Sequence, residues 1–328
     1  MGTPWAFGPP RAPRPGIVPL RPLGVGELLD GGLQTMRRHP RLVLGTAALV
    51  AVISEALQLP VRYLFTSSLA ALGASGGVRP DQLGEVLSRT LGGLSVLAVV
   101  GYVVGLLGNA VLSGLLTVVV GRAVLGEPVT ARDCWRAARR RVLGLIGLGL
   151  LTLLLELLVL ALTLVPLGLV LLLGGGVVAA VVLGVLGGLV GVLAVIVVAV
   201  LLALAPPAYV LEGESVVAAL RRSVGLVRAR FWALLGMIAL TAVITGIIAS
   251  AVSAPFSLGG QALSGSVASG TATTLPGLVV ASLGTVVGLT VTMPFSAAVI
   301  GLLYVDARMR REGFDIELQR AAAERPSW

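Results

Sequence analysis

The chain contains no lysine; all 24 of its basic residues are arginine. It has one cysteine, Cys134, and one histidine, His39. A lone cysteine cannot close an internal disulfide, and no Cys/His group has the spacing of a zinc site. Charged residues make up only 12% of the chain. A soluble domain carries roughly 25%, so a water-soluble globule of this size would lack the polar surface to cover itself. No P-loop, dinucleotide fingerprint or Ser-His-Asp set is present. The run Gly174-Gly175-Gly176 is apolar on both sides and does not read as a phosphate loop. No catalytic constellation, cofactor site or metal site is expected.

Long apolar runs are abundant. Hydrophobic residues form 56% of the 328 residues, and the mean hydropathy is +1.01. They lie in blocks of about 20 residues or longer, the length that crosses about 30 Å of hydrocarbon as helix. A transmembrane barrel would show alternating segments of roughly ten residues instead. The expected class is therefore an all-α integral membrane protein. The net charge of +9 is read as arginine gathered at a cytoplasmic membrane face, beside anionic lipid headgroups, and not as a nucleic-acid footprint. Arginine in place of lysine, with abundant Ala, Gly, Val and Leu, fits GC-rich coding and a bacterial source.

Residues 1–22 are rich in proline and arginine, with no apolar core of signal-peptide length, and read as a disordered cytoplasmic tail. Spans are expected at about 41–65, 94–120, 142–170, 177–208, 231–254 and 277–304 within a membrane domain of 23–311, followed by a tail of 312–328. The uncharged stretch Val142–Leu211, broken only by Glu156, would be about 100 Å of helix. Two spans fit it best, turning at Val165-Pro166 or at Gly174-Gly175-Gly176; three short spans are the rival. Arginine placement favours two. Clusters at Arg37–Arg41, Arg122–Arg141, Arg221–Arg230 and Arg308–Arg311 alternate with charge-poor connections only if there are six spans with both termini inside, as in a plasma-membrane protein.

Amphipathic helices are expected on that inner face. One, over 26–38, sets Leu28, Leu29, Leu33 and Met36 on one side; another, over 215–230, sets Val216, Leu220, Val224 and Val227 on a stripe. Trp135 and Trp232 fit as interfacial anchors. Each amphipathic segment precedes an arginine cluster and a span with an early glycine (Gly45, Gly144, Gly236), a pattern that suggests three helix-plus-hairpin repeats.

Ionisable residues within spans are functional candidates by default. Glu55 and Glu156 lie 14 and 15 residues beyond the arginines that open their spans, Arg41 and Arg141. That is about 21 Å of rise, a matching depth in the outer half of the bilayer from which they could face one another. Alternatively, Glu55 marks the outer end of a short span beside Arg62, and Glu156 is a protonated carboxyl bonded to a neighbouring helix. Asn109, with Ser113 and Thr117 at successive four-residue steps, is either pathway lining or interhelical glue. Asp306, Arg308, Arg310, Arg221 and Arg222 are expected to form ion pairs at the inner face. Small-xxx-small pairs such as Gly187/Gly191 and Gly284/Gly288 allow close helix approach, within the chain or in an oligomer.

Three stretches carry a family resemblance: RPLGVGELLDGGLQTMRRHPRLVLG at 21–45, PPAYVLEGESVVAALRRSVGLVRARFWALLG at 206–236 and LLYVDARMRREGFDIEL at 302–318. Together they resemble the bacterial six-span proteins related to the membrane domain of glycerophosphoryl diester phosphodiesterase. The resemblance implies an integral membrane protein. It does not imply the phosphodiesterase activity, because that catalytic domain needs metal-binding carboxylates and several histidines, and this chain has only His39. The expectation is a non-catalytic scaffold or accessory subunit for envelope, lipid or export machinery. The alternative is a carrier of small solutes or lipids using Glu55 and Glu156.

Overall fold

The computed structural model describes residues 23–38, 40–74, a scatter of positions between 92 and 112, 141–174, 176–265 and 274–312. Among them every regular element is helical. In chain order these are α1 (Val25–Arg38), α2 (Pro40–Ala74), α3 (Val142–Leu172), α4 (Val177–Leu202), α5 (Ala205–Glu212), α6 (Val216–Arg228), α7 (Phe231–Leu263) and α8 (Leu275–Glu312). Among the described residues five stretches are long and apolar enough to cross a membrane: Val43–Ser67, Leu143–Val170, Val178–Glu212, Phe231–Leu263 and Leu275–Arg311. Most of the expected span at 94–120 lies outside the described residues.

The region 142–211 folds as two long helices, α3 and α4, with the short α5 after them. α3 continues through Pro166, and the chain reverses at the glycines, where Gly174 adopts φ +70°, a left-handed conformation that only glycine takes without penalty. The other interior prolines, Pro60, Pro255 and Pro294, are likewise carried inside helices. Membrane helices tolerate this because neighbouring helices and hydroxyl side chains can take up the freed backbone groups. As a result α7 runs on to Leu263, where the sequence suggested an end near 254.

At the start of helix α1 the Gly24 N–H donates to the Glu27 carboxylate at 2.9 Å, one half of a capping box. It ends on Arg37 and Arg38, which complement the helix dipole. Its buried face is Leu28, Gly31, Gly32 and Thr35; of the other expected leucine-face residues, Leu29 and Met36 are half-buried against the core, while Leu33 is 39% exposed. The glycines join this face because they let α1 lie close against α8. A Cβ on Gly32 would sit 3.0 Å from Val299. Helix α6 matches its expected stripe more closely, burying Ala219, Leu220, Ser223, Leu226 and Val227, with Ser215 capping its first turn.

The leucine run of α3 resolves into one inward stripe. Leu145, Leu148, Leu153 and Glu156 are buried, while Leu150, Leu154 and Leu158 are exposed, the spacing of a single helical face. Further along, Gly187 and Gly191 of α4 receive Thr163 and Leu160 of α3. On the other side of the molecule, Gly260 and Gly277 bring α7 and α8 into backbone contact, and Gly284 and Gly288 admit Phe256 and Ala249. These small-residue positions therefore serve packing within the chain. The larger apolar core is not at mid-span. It gathers where α1, α5 and α6 meet the ends of α4, α7 and α8, around Leu204, Ala205, Leu302 and Tyr304, all fully buried.

Candidate functional site

That core is closed by polar contacts, built around two carboxylates. Asp306, near the end of α8, is buried. Both its oxygens accept Arg310 Nε, at 2.8 and 2.9 Å. It also accepts the backbone N–H of Leu23 at 2.8 Å. Arg310 completes the loop by donating Nη2 to the Leu23 carbonyl at 2.7 Å. One carboxylate and one guanidinium thus bind both backbone groups of the residue that leads into α1. Arg230, between α6 and α7, stands 3.8 Å from the same carboxylate.

The second carboxylate is Glu212, at the end of α5. Arg222 Nε donates to both its oxygens at 3.2 and 3.1 Å. Tyr304 of α8, fully buried, donates its hydroxyl to Oε1, and Arg308 Nε lies 3.5 Å from that oxygen. Gly213 follows with φ +72°, which turns the chain sharply into α6. The α4–α5 corner is held by Ser223, whose hydroxyl donates to the Leu201 carbonyl at 2.7 Å and accepts the Leu204 N–H at 3.2 Å. Arg141 donates to the carbonyls of Tyr209 and Val210, satisfying acceptors that the end of α5 leaves open.

Of the inner-face candidates, the structure brings Asp306, Arg308, Arg310 and Arg222 into this network. Arg221 is exposed and lines a shallow depression with Glu214 and Ser215. Trp232 is 79% exposed beside the start of α7, its ring edge-on to Phe231 at 5.4 Å. Glu212, Tyr304 and Arg141 were not singled out as partners by sequence. The available signal was that Glu212 is the first charge after 55 residues of apolar text, with an arginine pair following in the next helix.

Deeper in the membrane-length helices, Glu55 of α2 is buried. Its Oε1 accepts Arg62 Nη1 at 2.8 Å, two turns along the same helix, and the Ser282 hydroxyl of α8 at 2.9 Å. Among the described residues its buried Oε2 has no hydrogen-bond partner. Glu156 is also buried, on the inward stripe of α3, and is engaged in a polar interaction. The described polar contacts of Glu55 run along α2 and to α8, and α2 shares no extended interface with α3 among the described residues. Asn109, Trp135, Cys134 and His39 lie outside the described residues. Among the described residues no three His, Cys, Asp or Glu side chains gather as a metal site.

An all-helical chain with apolar, membrane-length helices, tied at one end by buried carboxylate–arginine contacts, is a membrane-embedded helical protein. Residues 23–307 match the model of a family described as a domain of unknown function, DUF7847, and the chain belongs to that family. No curated protein and no solved structure matches it.

Proposed function

We propose that this chain is a non-catalytic scaffold or accessory subunit of a bacterial plasma membrane, serving envelope, lipid or export machinery. It crosses six times with both termini cytoplasmic and is related to the membrane domain of the glycerophosphoryl diester phosphodiesterases. The observation that carries this reading is the use made of Asp306 and Glu212: their oxygens are taken up in bracing α8 against the start of α1 and the α5–α6 corner. The three stretches that carry the family resemblance supply these braces: Leu23 from the first, Glu212, Arg222 and Arg230 from the second, and Tyr304, Asp306, Arg308 and Arg310 from the third. Within Val178–Glu212 the 18-residue apolar window is only 17% buried, which supports an accessory role by leaving most of that surface for lipid or another protein's helices.

A carrier is the second reading, favoured by the buried Oε2 of Glu55, which has no hydrogen-bond partner among the described residues. Single cysteines at Asn109, Ser113 and Thr117, in a chain with Cys134 replaced by serine, separate the two. The scaffold reading expects protection from water-soluble maleimide at all three. Labelling along the whole stripe would replace it with the carrier.

A further inference from the structure

Between α1, α6, α7 and α8 lies a cavity of about 290 Å³, at the lower end of the roughly 300–1,000 Å³ that small-ligand sites occupy. Its floor is apolar, formed by Leu28, Leu226, Leu234, Met237 and Leu303. Its charged lining is three guanidiniums, Arg230, Arg310 and Arg311, against one carboxylate, Asp306. Arg310 is committed, with Nε on Asp306 and Nη2 on the Leu23 carbonyl. Arg230 and Arg311 are not. Among the described residues Arg230 has only the 3.8 Å approach to Asp306, and it is 46% exposed. Arg311 is exposed and gives Nη1 to the Gly225 carbonyl, keeping its other donors. Exposed Ala229 and Ala233 form the open side, next to the exposed Trp232.

We propose that this cavity is a binding site for one anionic phospholipid, its phosphate on Arg230 and Arg311 and the upper part of an acyl chain on the apolar floor. Charge complementarity selects the occupant. The site holds two positive charges in excess, and basic pockets between helices at the cytoplasmic side are sites for acidic headgroups. A zwitterionic lipid would bring an ammonium group towards three guanidiniums. A free phosphate would leave the apolar floor uncovered. The inference rests on the proposed placement of the arginine-rich end among headgroups, but its test does not depend on which side of the membrane that end faces.

The full chain, purified in a neutral detergent and delipidated, is titrated with phosphatidylglycerol or phosphatidylcholine and followed by native mass spectrometry. One phosphatidylglycerol is expected to be retained at concentrations where phosphatidylcholine is not. The double variant Arg230→Gln/Arg311→Gln is expected to weaken that retention about tenfold, the loss of charge-assisted bonds to phosphate. Arg221→Gln, outside the cavity, is expected to leave it unchanged. Met237→Trp, which fills the floor and touches no arginine, should also abolish it; circular dichroism confirms that the variants are folded. Equal retention of the two lipids would overturn the site. So would undiminished binding by the folded variants, or displacement of the lipid by inorganic phosphate at millimolar concentration. A sidedness experiment that puts this end outside would overturn the topology while leaving the lipid result standing.

Discussion

Asp306 ties three segments together at the braced end. It holds Arg310, the Leu23 N–H and the approach of Arg230 on one buried carboxylate. Removing one partner of a buried ion pair leaves the other uncompensated. Asp306→Asn should therefore destabilise the chain by about 2–4 kcal/mol, read as a lower midpoint of thermal unfolding in detergent; an unchanged midpoint would mean that Arg310 holds Leu23 unaided. Ser282→Ala removes one of the two donors to Glu55 and should cost about 1 kcal/mol in the same assay. Part of this was legible. Asp306 and Arg310 stand four residues apart on one helix, the spacing at which helical neighbours meet. The Glu212 cluster was not, because its partners lie 10 and 92 residues away and no local period links them.

Between elements the contacts that matter most are those without side chains. In hydrocarbon, apolar burial gives little net drive to helix association, so close packing and polar contacts must supply it. A Cβ on Gly260 would stand 2.3 Å from the Gly277 carbonyl oxygen. Gly260→Ala must then push α7 away from α8, at a cost of about 1–3 kcal/mol. Gly246→Ala, in the same helix with nothing within 4 Å, should fall within about 0.5 kcal/mol of the parent. An equal loss of stability in both variants would contradict the contact, because alanine has the higher helix propensity and that term alone cannot destabilise either variant. The existence of the long helices was plain from the apolar text. Their ends were less so: the expected span 231–254 stops short of Pro255, which looks like a terminator in a soluble chain and sits inside α7 here. The burial of Gly31 and Gly32 beside Leu28 on α1 was not legible, because it depends on how closely α8 approaches. The three early glycines also differ in setting: a Cβ on Gly144 would collide with Tyr209, while Gly45 and Gly236 have open space.

At the scale of the molecule, the most deeply buried core and the arginine braces share one end, while the far halves of α3 and α4 expose Leu154, Leu158, Val185 and Leu189. An apolar exterior of this kind needs lipid or partner helices around it. The composition alone makes that need legible, and the alternation of arginine clusters supplies the expected sidedness. The central claim is that the braced end faces the cytoplasm and that the bundle interior is closed to water. Sidedness labelling tests it directly. In a chain with Cys134 replaced, single cysteines are placed at Ser215 beside the braces, at Ser264 in the turn after α7, and at the buried Ser282. Intact cells are then treated with a membrane-impermeant maleimide. The predicted result is labelling of Ser264→Cys from outside, of Ser215→Cys only after permeabilisation, and of Ser282→Cys in neither state. Labelling of Ser215→Cys in intact cells, or of Ser282→Cys in either state, would contradict it.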